Sequence, residues 1–144
     1  MKLVRESILK GPSEEEIYSR IRKLSPNKML EKSTRYGFLE GVKKALKRGA
    51  NIHAAADAAL RWASEEGHLK IVKYLVEQGA NIHAANNLAL HWASEYGHLE
   101  VIKYLVEQGA NIHASNDLTL RFASEKGHLD VVNYLKSKMK EDEN

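Results

Sequence analysis

Cysteine is missing from all 144 residues. Its absence excludes a disulfide framework, a thiolate metal site and a cysteine nucleophile, and makes a reducing compartment the default expectation. Long apolar runs are missing as well. No stretch approaches the roughly 20 apolar residues of a membrane span. Lys2, Arg5 and Glu6 interrupt the run that a signal peptide needs. Glycines are scattered singly, so no loop is built to cradle a phosphate. Ser64, Ser94 and Ser124 each follow an alanine within a helical pattern, without the strained turn that exposes a nucleophile. These gaps predict a soluble, cytoplasmic, non-catalytic protein of about one domain's length, with no cofactor and no membrane contact.

Charge of one sign is scarce in places. The net charge is +3, yet residues 1–50 carry 13 Lys+Arg against 6 Asp+Glu, while residues 51–144 carry 9 against 13. The basic character belongs to the N-terminal third.

What the chain does have is a period. "GANIHAAADAALRWASEEGHLKIVKYLVEQ" (49–78) is followed by "GANIHAANNLALHWASEYGHLEVIKYLVEQ" (79–108), identical at 22 of 30 positions. "GANIHASNDLTLRFASEKGHLDVVNYLKSK" (109–138) matches the second copy at 18 of 30. A gapless period of this length predicts stacked supersecondary units, each covering its neighbour's apolar face. Within a unit, Asp57, Asn87 and Asp117 read as N-caps. A helix of about nine residues follows (Ala58 to Glu66 in the first copy), stopped by Gly67, Gly97 or Gly127. A second helix from Leu69 to Gln78 carries Ile71, Val72, Leu75 and Val76 on one stripe, with Lys70, Lys73 and Glu77 outside. Gly49, Gly79 and Gly109 end the second helices. The link "GANIHAAAD" reads as a tight turn with short extended arms.

The segment "ALRWASEEGHLKIVKYLVEQGANIH" and its copies resemble the ankyrin repeat: Leu, two residues, Ala, a Gly-His-Leu turn, a Val/Ile-rich helix, then Gly-Ala-Asn. The resemblance spans residues 28–138 and implies an all-α solenoid of helix-turn-helix units with short return turns. Two departures stand out. The usual period is about 33 residues, three more than here. Ala58-Ala59, Leu88-Ala89 and Leu118-Thr119 replace the usual Thr-Pro. This shortened form is similar to ankyrin repeats of large DNA viruses, which implies a host cytoplasm as its location.

Stepping the period backwards identifies 27–48 as a degraded first repeat. Phe38 stands in place of the histidine, and Gly41 and Ala45 replace large apolar residues, so this copy is expected to pack less on one side. Residues 1–26 are read as an N-terminal capping segment. Its helix at 13–24 begins at a Ser13/Glu16 capping box and shows a stripe of Ile17, Ile21 and Leu24. Residues 1–11 are open to helix or strand. Residues 49–78 and 79–108 are full repeats. In 109–138, Lys136 replaces the valine of earlier copies, as suits a capping repeat that ends the stack. Residues 139–144 are read as a polar tail. Ends covered in this way point to a monomer.

Two periodic histidine sets, His53/His83/His113 and His68/His98/His128, raise the question of zinc. Ligands must converge within about 2 Å of one metal, whereas stacked helices lie roughly 10 Å apart. The period therefore separates the histidines, and a backbone-bonding role in each turn is expected. Residues that stay constant mark what every unit needs; those that vary mark what the fold leaves free. The variable set includes Glu66/Tyr96/Lys126, Ala56/Asn86/Asn116 and Arg61/His91/Arg121. The resemblance implies a concave, partner-binding side in these regions. Tyr96 is the expected central contact, surrounded by Glu66, Lys126, Asn86, Asn116, Arg61, His91 and Arg121, against an unidentified protein. The rival reading is a basic patch of Lys43, Lys44, Lys47 and Arg48 on one helix, facing nucleic acid or an acidic surface.

Overall fold

A computed structural model describes residues 11–144; the open reading of residues 1–11 falls, but for Gly11, outside them. The described residues are helical, joined by turns, with no strand among them. They divide into two compact units, with the boundary between Asn51 and Ile52.

The first unit contains α1 (Glu14–Ile21), α2 (Pro26–Tyr36) and α3 (Leu39–Lys47). The expected capping box opens α1: the Glu16 amide donates to Ser13 Oγ at 3.2 Å, and the Ser13 amide to Glu16 Oε2 at 2.8 Å. Ile17 and Ile21 are buried, and α1 packs against α2. Helix α2 starts earlier than the repeat alignment predicts, at Pro26, with Ser25 as its cap. A proline suits the first helical position because its missing N–H would have no helical partner there. Gly41 does not loosen the unit. A Cβ there would lie 2.7 Å from the Phe38 ring and would also collide with Ser33 Oγ. The buried Phe38 side chain fills the space that a larger residue at 41 would take.

The second unit contains α4 (Ala54–Glu66), α5 (Leu69–Glu77), α6 (Ala84–Glu95), α7 (Leu99–Glu107), α8 (Ala114–Glu125) and α9 (Leu129–Asp142). Helices pair as α4/α5, α6/α7 and α8/α9. The first members stack in one row (α4, α6, α8) and the second members in another (α5, α7, α9). Leu60, Ile71, Leu75, Leu90, Ile102, Leu105 and Leu135 form the core between the rows. Each sits on the stripe that a 3.6-residue period exposes to the neighbouring helix. The last helix runs through most of the expected polar tail, to Asp142. Met139 stands where Gly79 and Gly109 end the earlier second helices, so nothing local stops it.

The return turns differ from their predicted form. They contain no extended arms; each holds three successive residues in the left-handed helical region. In the first copy these are Ala55, Ala56 and Asp57, at φ of 53°, 55° and 55°. The second has Ala85, Asn86 and Asn87, and the third Ser115, Asn116 and Asp117. A backbone bond closes each turn, such as that from the Asp57 amide to the His53 carbonyl at 3.3 Å. The right-handed helix starts only at residue 58, 88 or 118. Asp57, Asn87 and Asp117 are therefore not N-caps, since a cap residue takes an extended backbone. The side chains of Asp57 and Asn87 instead tie repeat to repeat. Asp57 Oδ1 accepts the Asn81 amide at 2.8 Å, and Asn87 Oδ1 accepts the Asn111 amide at 2.9 Å. Within the first unit, Asn27 Oδ1 accepts the Asn51 amide at 2.7 Å.

Candidate protein-interaction face

His53, His83 and His113 bond to their own turns, and His98 and His128 to backbone. His53 Nδ1 lies 2.9 Å from Asp57 Oδ1, His83 Nδ1 3.1 Å from Asn87 Oδ1, and His113 Nδ1 2.7 Å from Asp117 Oδ1. The Nδ1–H of each ring thus steadies the left-handed turn beside it. The second set reaches across repeats. His98 Nε2 donates to the Glu65 carbonyl at 2.7 Å, and His128 Nε2 to the Glu95 carbonyl at 2.8 Å. These rings also explain two of the glycines that precede the turns, Gly67 and Gly97. A Cβ on Gly67 would lie 2.5 Å from His98 Nδ1, and one on Gly97 would lie 2.6 Å from His128 Nδ1. Among the described residues no three His, Asp or Glu side chains come together where a metal could sit. No helix among them is long and apolar enough to cross a membrane.

Glu66, Tyr96 and Lys126 occupy one structural place, the C-terminal ends of α4, α6 and α8. All three are exposed, Tyr96 by 53 %. Lys126 Nζ lies 3.7 Å from Glu95 Oε1 in an exposed pair. Asn86 and Asn116 are exposed on the left-handed turns, and Asn86 Nδ2 donates to Ser115 Oγ of the next turn. Arg61 is half-buried. Its Nη2 donates to the Ala55 carbonyl at 2.6 Å and its Nε to the Ala56 carbonyl at 3.2 Å, while its guanidinium lies 5.6 Å from the Trp92 ring centre. That arginine braces a turn. Arg121, at the same place in the last copy, is exposed.

His91 does not belong to the surface set. It is 2 % exposed, with Nδ1 2.6 Å from Thr119 Oγ1 of the next repeat. Its Nε2 is buried with no hydrogen-bond partner. Burial holds its pKa below the usual histidine value, partly offset by the Asn86 backbone. The imidazole is buried at the place where Arg61 folds back onto its turn and Arg121 lies exposed.

The basic cluster of the first unit is largely engaged. Arg48 Nη2 donates to the Leu24 carbonyl at 3.0 Å and Nη1 to the Arg22 carbonyl at 3.4 Å, which satisfies backbone acceptors left at the end of α1. Lys44 Nζ sits 3.9 Å from the centre of the Tyr18 ring, and Lys43 lies 3.5 Å from Glu40. Lys47 is exposed. The changes to lysine at 44 and arginine at 48 therefore hold the N-terminal helix in place.

One residue escaped the reading of the sequence. Tyr36 is thirty positions before Glu66, in the same register as Tyr96, and is 48 % exposed. The period carries this signal, since stepping back thirty residues from Glu66 lands on Tyr36.

A family model described as ankyrin repeats matches the chain in three copies, over residues 30–116 and 83–144. No match was found among curated proteins.

Proposed function

The chain belongs to the ankyrin-repeat family, and on that premise we propose that it is a non-catalytic adaptor or scaffold that holds a partner protein against the face carrying Tyr96. Ankyrin repeats are in general protein–protein interaction modules, and no catalytic family matches here. The observation that carries the choice of face is Tyr96 itself. It is a large, half-exposed aromatic at a position the repeat leaves free, on a stack whose turns are bonded to one another. Such a surface is ordered before binding, so little entropy is lost on contact, and aromatic side chains dominate interaction hot spots. The basic cluster is the weaker support for a binding site, because Arg48 and Lys44 are already committed to α1. The thirty-residue period keeps its likeness to the shortened repeats of large DNA viruses, and we read the module as one working in a host cytoplasm.

Affinity capture with mass spectrometry tests this reading. Wild type and Tyr96→Ala are compared, with circular dichroism to show that both are folded. Specific partners should be depleted at least tenfold by Tyr96→Ala, the loss expected when a hot-spot residue worth about 1.4 kcal/mol or more is truncated. An unchanged set of partners removes Tyr96 from the binding face.

A further inference from the structure

We propose that Glu66, Tyr96 and Lys126 form a polarised row that reads a polyproline-II segment bearing a base, an apolar residue and an acid at three-residue intervals. This rests on the interaction-module reading and gives its partner a chemistry. The three readers sit at equivalent helix ends, one per repeat, in the order acid, aromatic, base. Packed helices lie roughly 10 Å apart. A polyproline-II helix turns once in three residues and rises about 3.1 Å per residue, so every third side chain returns to the same face after about 9 Å. An extended strand does not fit, because its residues three apart point to opposite faces. Pitch and repeat therefore match, and a segment of seven residues spans the row.

Two of the readers sit on backbone that is anchored before binding. The Glu65 carbonyl, immediately before Glu66, is held by His98 of the next repeat, and the Glu95 carbonyl, immediately before Tyr96, by His128. Glu65, Glu95 and Glu125 lie beside the readers but carry the same sign in every repeat, so they add no direction to the row. Its direction comes from Glu66 at one end and Lys126 at the other. The 3.7 Å pair between Lys126 and Glu95 is exposed, and pairs of that kind contribute little, so Lys126 is free to turn to a ligand carboxylate. Tyr96 offers its ring to the apolar residue in the middle, the mode by which aromatic surfaces receive proline-rich segments.

The test is a nuclear magnetic resonance titration of the full chain with three end-capped synthetic peptides. These are Lys-Pro-Pro-Leu-Pro-Pro-Glu and its relatives with lysine at both ends or glutamate at both ends. Wild type should bind the mixed peptide tightest, with shifts centred on residues 66, 96 and 126. Glu66→Lys should move the preference to the doubly acidic peptide, and Lys126→Glu to the doubly basic one. Each change should be up to about fivefold, as for exposed ion pairs, and should vanish in 1 M salt, where the screening length falls to about 3 Å. Absence of binding, or a rank order unmoved by both charge reversals, overturns the proposal. If either occurs while capture of natural partners still depends on Tyr96, the module reading stands and only the polarised row falls.

Discussion

At Ala56 the backbone sits at φ 55° and ψ 55°, a conformation that costs an L-residue roughly 1–2 kcal/mol. Asparagine occupies the same place in the next two copies, where its short polar side chain tolerates the left-handed region better. This reverses an ordinary expectation. Glycine inside a right-handed helix costs about 1 kcal/mol relative to alanine. Here Ala56→Gly removes the steric cost and loses only the unfolded-state entropy term, about 0.5–1 kcal/mol. The net change should be a stabilisation of about 0.5–1 kcal/mol, read as a melting temperature a few degrees higher. A lower melting temperature would show that residue 56 is right-handed. The same turn explains why Asp57, Asn87 and Asp117 were legible as special but not as what they are. Short side chains that bond to nearby backbone favour both the N-cap and the left-handed turn, and one sequence cannot separate the two. His91 was ambiguous for a related reason, since variation between repeats marks a free position without saying whether the new side chain points out or sinks inward.

The elements were far more legible. Each second helix ends within a residue of its predicted stop, except the last, because the glycines at 49, 79 and 109 adopt positive φ where expected. What the period could not reveal is why a glycine recurs before each turn histidine. Gly67 serves two needs at once: a left-handed φ of 75°, and room for the His98 ring of the following repeat. Gly127 meets only the first need, for nothing lies within 4 Å of a Cβ built there. The two sites thus separate conformation from packing. Gly127→Ala should cost about 1 kcal/mol, the conformational penalty alone. Gly67→Ala should cost clearly more, by at least another 1 kcal/mol, because the His98 ring must move and its bond to the Glu65 carbonyl weakens. Urea unfolding of the single variants and of Gly67→Ala/His98→Ala checks this. The double variant should lose less than the sum of the two, with a coupling of at least about 0.5 kcal/mol. Strict additivity would mean that ring and glycine do not share the space.

Across the whole molecule, charge is distributed by structural task more than by a single binding patch. The surplus of base in residues 1–50 suggested a nucleic-acid surface, yet Arg48 and Lys44 are turned to carbonyls and to a tyrosine ring. Sequence counts charges without showing where each one ends. Two histidines then give the molecule a pH profile with opposing limbs. His113 is held above the usual histidine pKa, first by its hydrogen bond to Asp117 and then by the charges of Asp117 and Asp142, whose Oδ2 lies 3.5 Å from Nε2. Its contribution is complete below the unfolded value near 6.5 and is lost as pH rises through the higher folded value. His91, held low by burial, acts in the other sense. Its native environment is favourable above about 6.5 and becomes costly as pH falls through the lower folded value, because the unfolded chain binds the proton more readily. Stability from these two groups should therefore peak near pH 6.5. Melting temperatures of the wild type between about pH 5.5 and 8, set against those of two variants, test this. His113→Asn should flatten the alkaline limb and leave the acid limb in place. His91→Arg, the residue of the neighbouring copies, should flatten the acid limb. If neither variant changes its limb, the ring–carboxylate bond at the last turn and the buried ring between α6 and α8 are not the titrating elements.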